Sequence, residues 1–279
     1  TSIASDPVAL VGAKVVGFRA RGRSNRRRRP TLETLEGRLA PALDFTATLT
    51  LGASGSLADV KVNGTAIDSA GNLFVTGSFR GSVGFDPANS TATTASVGSR
   101  GAFVASYSSS GGLRWSSVLA GADGSAVGQG TAIGIDSGGN VYVTGSFSGM
   151  VDFDPGNAST LLSSPSRTDI FILKLNAGGG LIWARDVAGT LNSVNQGDAL
   201  TVEANRGVLV GGVVTGAATF GSQAVAVVGL SEAFVTRVDP LGNFVWTTVT
   251  SGGNGSTAEI HGIAANPDGS AVAVGFFKG

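Results

Sequence analysis

From residue 57 onward, short apolar runs rich in Val, Ile, Leu and aromatics alternate with polar, glycine-bearing breaks. Between residues 125 and 189 the runs are TAIGID, NVYVTGSF, DIFILKLN and GLIWARDVA. Runs of this length and composition predict strands. Ser-Gly-Gly separates the first pair and Ala-Gly-Gly-Gly the last, and such glycines supply the positive φ of tight hairpin turns. Consecutive hairpins predict an antiparallel four-stranded sheet. Helical spacing is confined to Leu32, Leu35 and Leu39, where Gly37 and Pro41 keep the element short.

The pattern repeats. Residues 68–121 align with 136–189 without a gap, and DSAGNLFVTGSFRGSVGFDP matches DSGGNVYVTGSFSGMVDFDP at 14 of 20 positions. GVLVGGVVTGAATF and AFVTRVDPLGNFVWTTVTSG form a third, diverged copy, and DGSAVAVGFFKG begins a fourth. Gly77, Gly145, Gly212 and Gly275 are spaced by 68, 67 and 63 residues, and Trp115, Trp183 and Trp246 by 68 and 63. Phe85, Phe153 and Phe220 keep the same register. The third copy loses four residues between Phe220 and Phe234, a change in one connection that a surface loop tolerates.

Sheets that are apolar on both faces must be covered on both, and stacking them radially does so. The expected fold is therefore all-β: a β-propeller of four-stranded antiparallel blades. The repeat GNVYVTGSFSGMVDFDPG…DIFILKLNAGGGLIWARDVAG closely resembles the bacterial seven-bladed-β-propeller repeat (SBBP-type) family over residues 45–279. That resemblance implies a first strand lining the central channel, an outermost Trp strand, and a secreted or cell-surface protein. The expected organisation is a basic arm over 1–43, largely disordered with a short helix at 31–39, followed by repeats over 44–279. Within these, 44–56 is a lone outer strand, 57–121, 125–189 and 191–252 are blades, and 256–279 is part of a fourth. Three and a half blades predict an open arc or incomplete ring, a partial chain of a longer array with exposed, aggregation-prone edges.

Charge divides the chain at the same boundary. Residues 1–41 hold nine of the 19 basic side chains and three acids, leaving 42–279 with a formal charge of minus six. As a phosphate-binding patch the arginines would mark a nucleic-acid site, but the body continues it with neither basic surface nor stacking platform. In a secretory signal the apolar segment follows the basic one; here Val8–Phe18 precedes it. RRRRPTLETLEGRLAPA resembles the Arg-rich Leu-Glu-x-Leu-Glu-x-Arg-Leu-x-Pro leader of large secreted bacterial proteins, and the absent initiator Met fits a processed or partial chain.

Composition narrows the chemistry. With no cysteine there are no disulfides, thiolate nucleophiles or Cys-based metal sites, and one histidine with 14% charged residues leaves little for acid–base work. Forty-four glycines alongside 42% hydrophobic residues exclude disorder and, without a Gly-X-Y period, collagen. No apolar run approaches membrane-spanning length. Asp86, Asp152 and Asp154 are weak calcium candidates that lack the Asp-x-Asp-x-Asp-Gly density of a calcium loop, and turn chemistry explains Asp-Pro at 86–87 and 154–155, as it does Asp68, Asp136 and Asp268 before their hairpin glycines. GADGSAVGQG at 121–130 has no Lys and no following helix, so it is an inter-blade loop and not a phosphate loop. TGSFSG places Phe147 where a nucleophile elbow needs serine. His261 has no partner legible from spacing.

These readings predict a non-catalytic structural or interaction scaffold with no cofactor and no metal. Its expected partner is a protein or glycan on a propeller face, not nucleic acid, and further blades of the same chain. The alternative is a propeller enzyme or lectin-like module acting on polysaccharide, which would gather acids from several blades.

Overall fold

In a computed structural model, the described residues are 8–10, 52–89, 93–95, 100–121, 126–156, 158–204, 207–266 and 268–279. The basic arm apart from Val8–Leu10, the helix expected at 31–39, and residues 44–51 of the lone strand expected at 44–56 lie outside them. Every described element is a strand. After β1 (Val8–Leu10), a first unit contains β2 (Gly52–Ile67), β3 (Leu73–Gly84), β4 (Thr93–Ala95), β5 (Gly101–Tyr107) and β6 (Leu113–Gly121). The second contains β7 (Val127–Ile135), β8 (Val141–Asp152), β9 (Leu161–Leu175) and β10 (Leu181–Gly189). The third holds β11 (Gln196–Glu203), β12 (Gly207–Val214), β13 (Ala218–Phe220), β14 (Gln223–Val225), β15 (Glu232–Val238) and β16 (Phe244–Val249), and the fourth holds β17 (Thr257–Ala265) and β18 (Ala271–Lys278).

Each of the first three units is a four-stranded antiparallel meander, in the orders β2-β3-β5-β6, β7-β8-β9-β10 and β11-β12-β15-β16. β17 and β18 form the corresponding hairpin of the fourth, with β1 parallel on the free edge of β18. The first strands β2, β7, β11 and β17 touch in succession and make a common hub. The sheets do not close into a ring: no strand pairing among the described residues joins β17 or β18 to the first unit.

Units are also stitched along their outer ends. Ala120–Gly121 of β6 pair with Val151–Asp152 of β8, and Val187–Gly189 of β10 pair with β13. Gly52–Ser54 pair with Ser82–Gly84 in the same place, so the start of β2 occupies the position that the end of an outermost strand takes elsewhere.

The hairpins form because one side chain organises each turn. Asp136 Oδ1 accepts from the backbone N–H of Gly138 and Asn140, both at 2.9 Å, and Oδ2 accepts from Asn140 Nδ2. Gly139, with φ of 78°, closes the loop. Asp68, Asn176 and Asp239 hold their turns in the same way. In the fourth unit that place belongs to Asn266, and Asp268 stands two residues further on, bonded to Ser270. Asp268 thus serves the same turn as Asn266, from a position two residues later than Asp68 and Asp136 hold in theirs.

Burial follows the two-residue period, on both faces. On β3 and β5, Phe74, Ala102 and Val104 face the second unit, while Val75, Phe103 and Ala105 line the opposite side. Further clusters fill the gap between the second and third units and that between the third and fourth. Central strands buried on both faces explain why the sequence shows continuous apolar runs instead of clean alternation.

Candidate functional site

The hub is built on a recurrent irregularity. In each unit the first strand carries a β-bulge opposite the landmark glycine of the second: at Asn63 opposite Gly77, Thr131 opposite Gly145, Asp198 opposite Gly212 and His261 opposite Gly275. The bulge presses a backbone carbonyl against the glycine. A Cβ at Gly77, Gly145, Gly212 or Gly275 would overlap the carbonyl of Lys61, Gln129, Gln196 or Glu259. Gly145→Ala, which would also crowd the Phe171 ring, is therefore expected to destabilise the chain by about 1–3 kcal/mol in urea unfolding. Loss of less than a few tenths would show that the bulge does not pack so closely.

The bulged residue has a task at the junction. Asn63 Nδ2 donates to the Gly130 carbonyl of the second unit at 2.8 Å. Thr131 Oγ1 is hydrogen-bonded to the Gly197 carbonyl of the third, and contacts its own unit at Thr144 O. Asp198, next in the row, is an acceptor when ionised. Gln196 Nε2 donates to its Oδ1, while its buried Oδ2 has no hydrogen-bond partner. Burial pushes the Asp198 carboxyl up to about 6; the Gln196 bond and His261 counteract this, and the Glu259 charge adds to it. His261 Nδ1 lies 3.6 Å from Glu259 Oε1, and its ring stacks on Phe276. Glu259 and His261 thus pair on β17, and both charges act on Asp198 of the adjoining β11. Sequence reasoning found His261 but neither acid. The signal was present: Asn63, Thr131, Asp198 and His261 each stand 14 positions before a landmark glycine.

The other candidates are held by packing and turns. Phe85, Phe153 and Phe220 are fully buried, their rings 5.1 Å from those of Phe103, Phe171 and Phe234, so no face is free to stack on a sugar. Asp86 Oδ1 accepts from Ala88 N–H, and Asp154 Oδ1 from Gly156 N–H. Asp152 accepts from the N–H of Asp154 and Thr160 and from Ser159 Oγ. Burial opposes ionisation of Asp152, but these bonds outweigh it and hold the carboxyl below the usual range. The three acids belong to two separate turns, and among the described residues no group of three or more metal-ligating side chains converges.

The tryptophans clasp neighbouring units. Trp115 Nε1 donates to Ala177 O and Trp183 Nε1 to Pro240 O, both at 3.0 Å, each in a turn of the following unit. Gly179 and Gly242, with φ of 87° and 89°, lie against the Trp115 and Trp183 rings. Trp246 Nε1 is buried without a partner. Beside the second clasp, a cleft of about 480 Å³ opens between the second and third units, lined by Asp136, Tyr142, Lys174, Glu203 and Pro240. Its cation is engaged: Lys174 Nζ donates to Pro240 O at 3.2 Å and lies 4.9 Å from the Tyr142 ring centre. Burial, with the nearby Asp136 carboxylate, pushes the Tyr142 hydroxyl up to about 12. The cleft is a polar seam.

No helix among the described residues is long and apolar enough to cross a membrane. No protein-family model matches the chain. A curated relative, an uncharacterized WD repeat-containing protein of Acanthamoeba polyphaga mimivirus, is 28% identical over 159 residues, covering 52% of this chain and 11% of the relative. WD repeats build four-stranded propeller blades, although this chain has no Trp-Asp dipeptide. Unit architecture and relative together support a propeller-type, all-β repeat fold.

Proposed function

We propose that the chain is a non-catalytic interaction scaffold: an arc of a bacterial, seven-bladed-type β-propeller, secreted or displayed at the cell surface, that binds a protein on its loop face. The observation that carries this reading is the use of the recurrent side chains. Repeat-position phenylalanines are buried, turn carboxylates accept hydrogen bonds from their own turns, and Trp115 and Trp183 are committed to neighbouring units. What varies between units is the connection after the second strand and the linker to the next unit. At that end Leu191, Val194, Val228 and Leu230 are exposed and give a protein partner apolar side chains to cover. The leader-like arm and the repeat resemblance support export.

The test compares the chain with a Leu191→Glu/Leu230→Glu variant against extracellular proteins and a glycan panel. The expected result is a saturable protein ligand, captured by the parent, lost in the variant at unchanged fold, and not turned over. Binding insensitive to both substitutions would reject the loop face, and turnover would reject the scaffold. A second reading, an enzyme acting on polysaccharide, is favoured by the His261–Glu259 pair and the nearby Asp198, on which both charges act. It predicts turnover of a glycan that Glu259→Gln abolishes.

A further inference from the structure

The four bulge residues occupy one structural position, and the first two use it identically. Asn63 and Thr131 each bond the carbonyl of the residue preceding the next unit's bulge, Gly130 and Gly197. By the same register the acceptor facing the third unit is the carbonyl of Ile260, which precedes His261. Asp198 stands where the donor should be. An ionised carboxylate has no proton to give, and a buried carboxylate oxygen without a partner is costly. Asp198 Oδ2 is that oxygen. A protonated Asp198 is chemically like Asn63, with one oxygen accepting from Gln196 and the other donating.

We propose that the junction between the third and fourth units is a proton-linked contact, in which protonated Asp198 donates the hub hydrogen bond across to β17 and ionised Asp198 loosens β17 from β11. The groups facing it fit this role. Glu259 and His261 approach from β17, and theirs are the charges that act on Asp198. Of the other strands packed against β11, β7 and β12 contain no ionisable side chain, while β8 carries Tyr142 and Asp152 and β9 carries Arg167, Asp169 and Lys174. On its own strand Gln196 engages only Oδ1 and Glu203 is paired with Arg237. The neighbouring Glu259 charge favours a proton on the pair. The contact depends on hub geometry alone and holds whether the chain is a scaffold or an enzyme.

The sign of the effect follows from a folded-state carboxyl that titrates above its unfolded value. Its stabilising contribution is complete below the unfolded value of 3.8 and is lost as pH rises through about 6. The loss in the local folding equilibrium is at most about a hundredfold, tenfold for each pH unit that separates the folded and unfolded titrations.

The test is amide hydrogen exchange of β17 in the full chain, corrected for intrinsic rates, from about pH 8 down to about pH 5. Wild type should gain protection as pH falls. Asp198→Asn should be protected at every pH, and Asp198→Ala at none, while both remain folded by circular dichroism. Glu259→Gln should move the wild-type transition to lower pH, and His261→Gln should leave a transition in place. Flat wild-type protection would overturn the proposal. So would a pH dependence that survives in Asp198→Asn or disappears in His261→Gln alone.

Discussion

Trp183→Ala is expected to lower the unfolding free energy by about 3–5 kcal/mol, the usual range for truncating a buried aromatic side chain. Trp183 is 6% exposed and packs edge-on against Tyr142 at 6.0 Å. Its Nε1 donates to Pro240 O in the third unit, and its ring lies against Gly242. Truncation removes an apolar surface shared by two sheets and leaves the Pro240 carbonyl without that donor. Because the lost contact joins units, the variant should also show early exchange in β15 and β16. Trp183→Phe, which keeps most of the packing and loses the bond, should cost clearly less than that range. An alanine variant with an unchanged urea midpoint would contradict the clasp.

Arg237→Ala is expected to cost a similar amount, by a different mechanism. Arg237 Nε and Nη2 donate to Glu203 Oε2 and Oε1 at 2.7 and 2.9 Å, with the side chains 9% and 3% exposed. Nη2 also reaches Gly269 O in the fourth unit's turn, and the guanidinium lies 5.3 Å from the Trp246 ring. Removing the cation leaves Glu203 buried and unpaired, for which about 3–5 kcal/mol is the expected loss. Replacing both charges (Arg237→Met with Glu203→Leu) should cost much less, since the desolvation penalty goes with the pair. Equal losses in the single and double variants would show that packing, not the stranded carboxylate, dominates.

How far the sequence revealed this arrangement depends on the kind of contact. Turn residues were legible because each acts locally. Asp136 with Gly139 shapes a five-residue loop, so residue type and spacing suffice. The glycine register was visible in the 68-, 67- and 63-residue intervals, but the cause, a bulge pressed against Gly77 and its counterparts, involves a backbone carbonyl on another strand and has no residue signature. The hub row escaped notice for a related reason: Asn63, Thr131, Asp198 and His261 share a position without sharing chemistry. Pairs such as Glu203 with Arg237 join strands 34 residues apart, and no local pattern announces them. The Trp clasps divide in the same way, with packing of the aromatic ring foreseeable from the residue and the carbonyl acceptor in the next unit not foreseeable.

The strands themselves are longer than the apolar runs that announced them. β8 continues from the expected NVYVTGSF to Asp152, and β9 begins at Leu161, well before DIFILKLN. These extensions pair with each other and, at Val151 and Asp152, with the first unit. They form because a neighbouring edge offers backbone partners, a tertiary effect that overrides the weak strand preference of Ser- and Gly-containing segments.

The side-by-side packing of successive units is tested most directly by nuclear Overhauser contacts from three side-chain N–H groups to partners more than 50 residues away. The Trp115 indole N–H should show contacts to Ala177, the Trp183 indole N–H to Pro240, and the Asn63 side-chain amide to Gly130 and Thr131. If all three groups report only on residues of their own unit, the copies do not stack about a common hub.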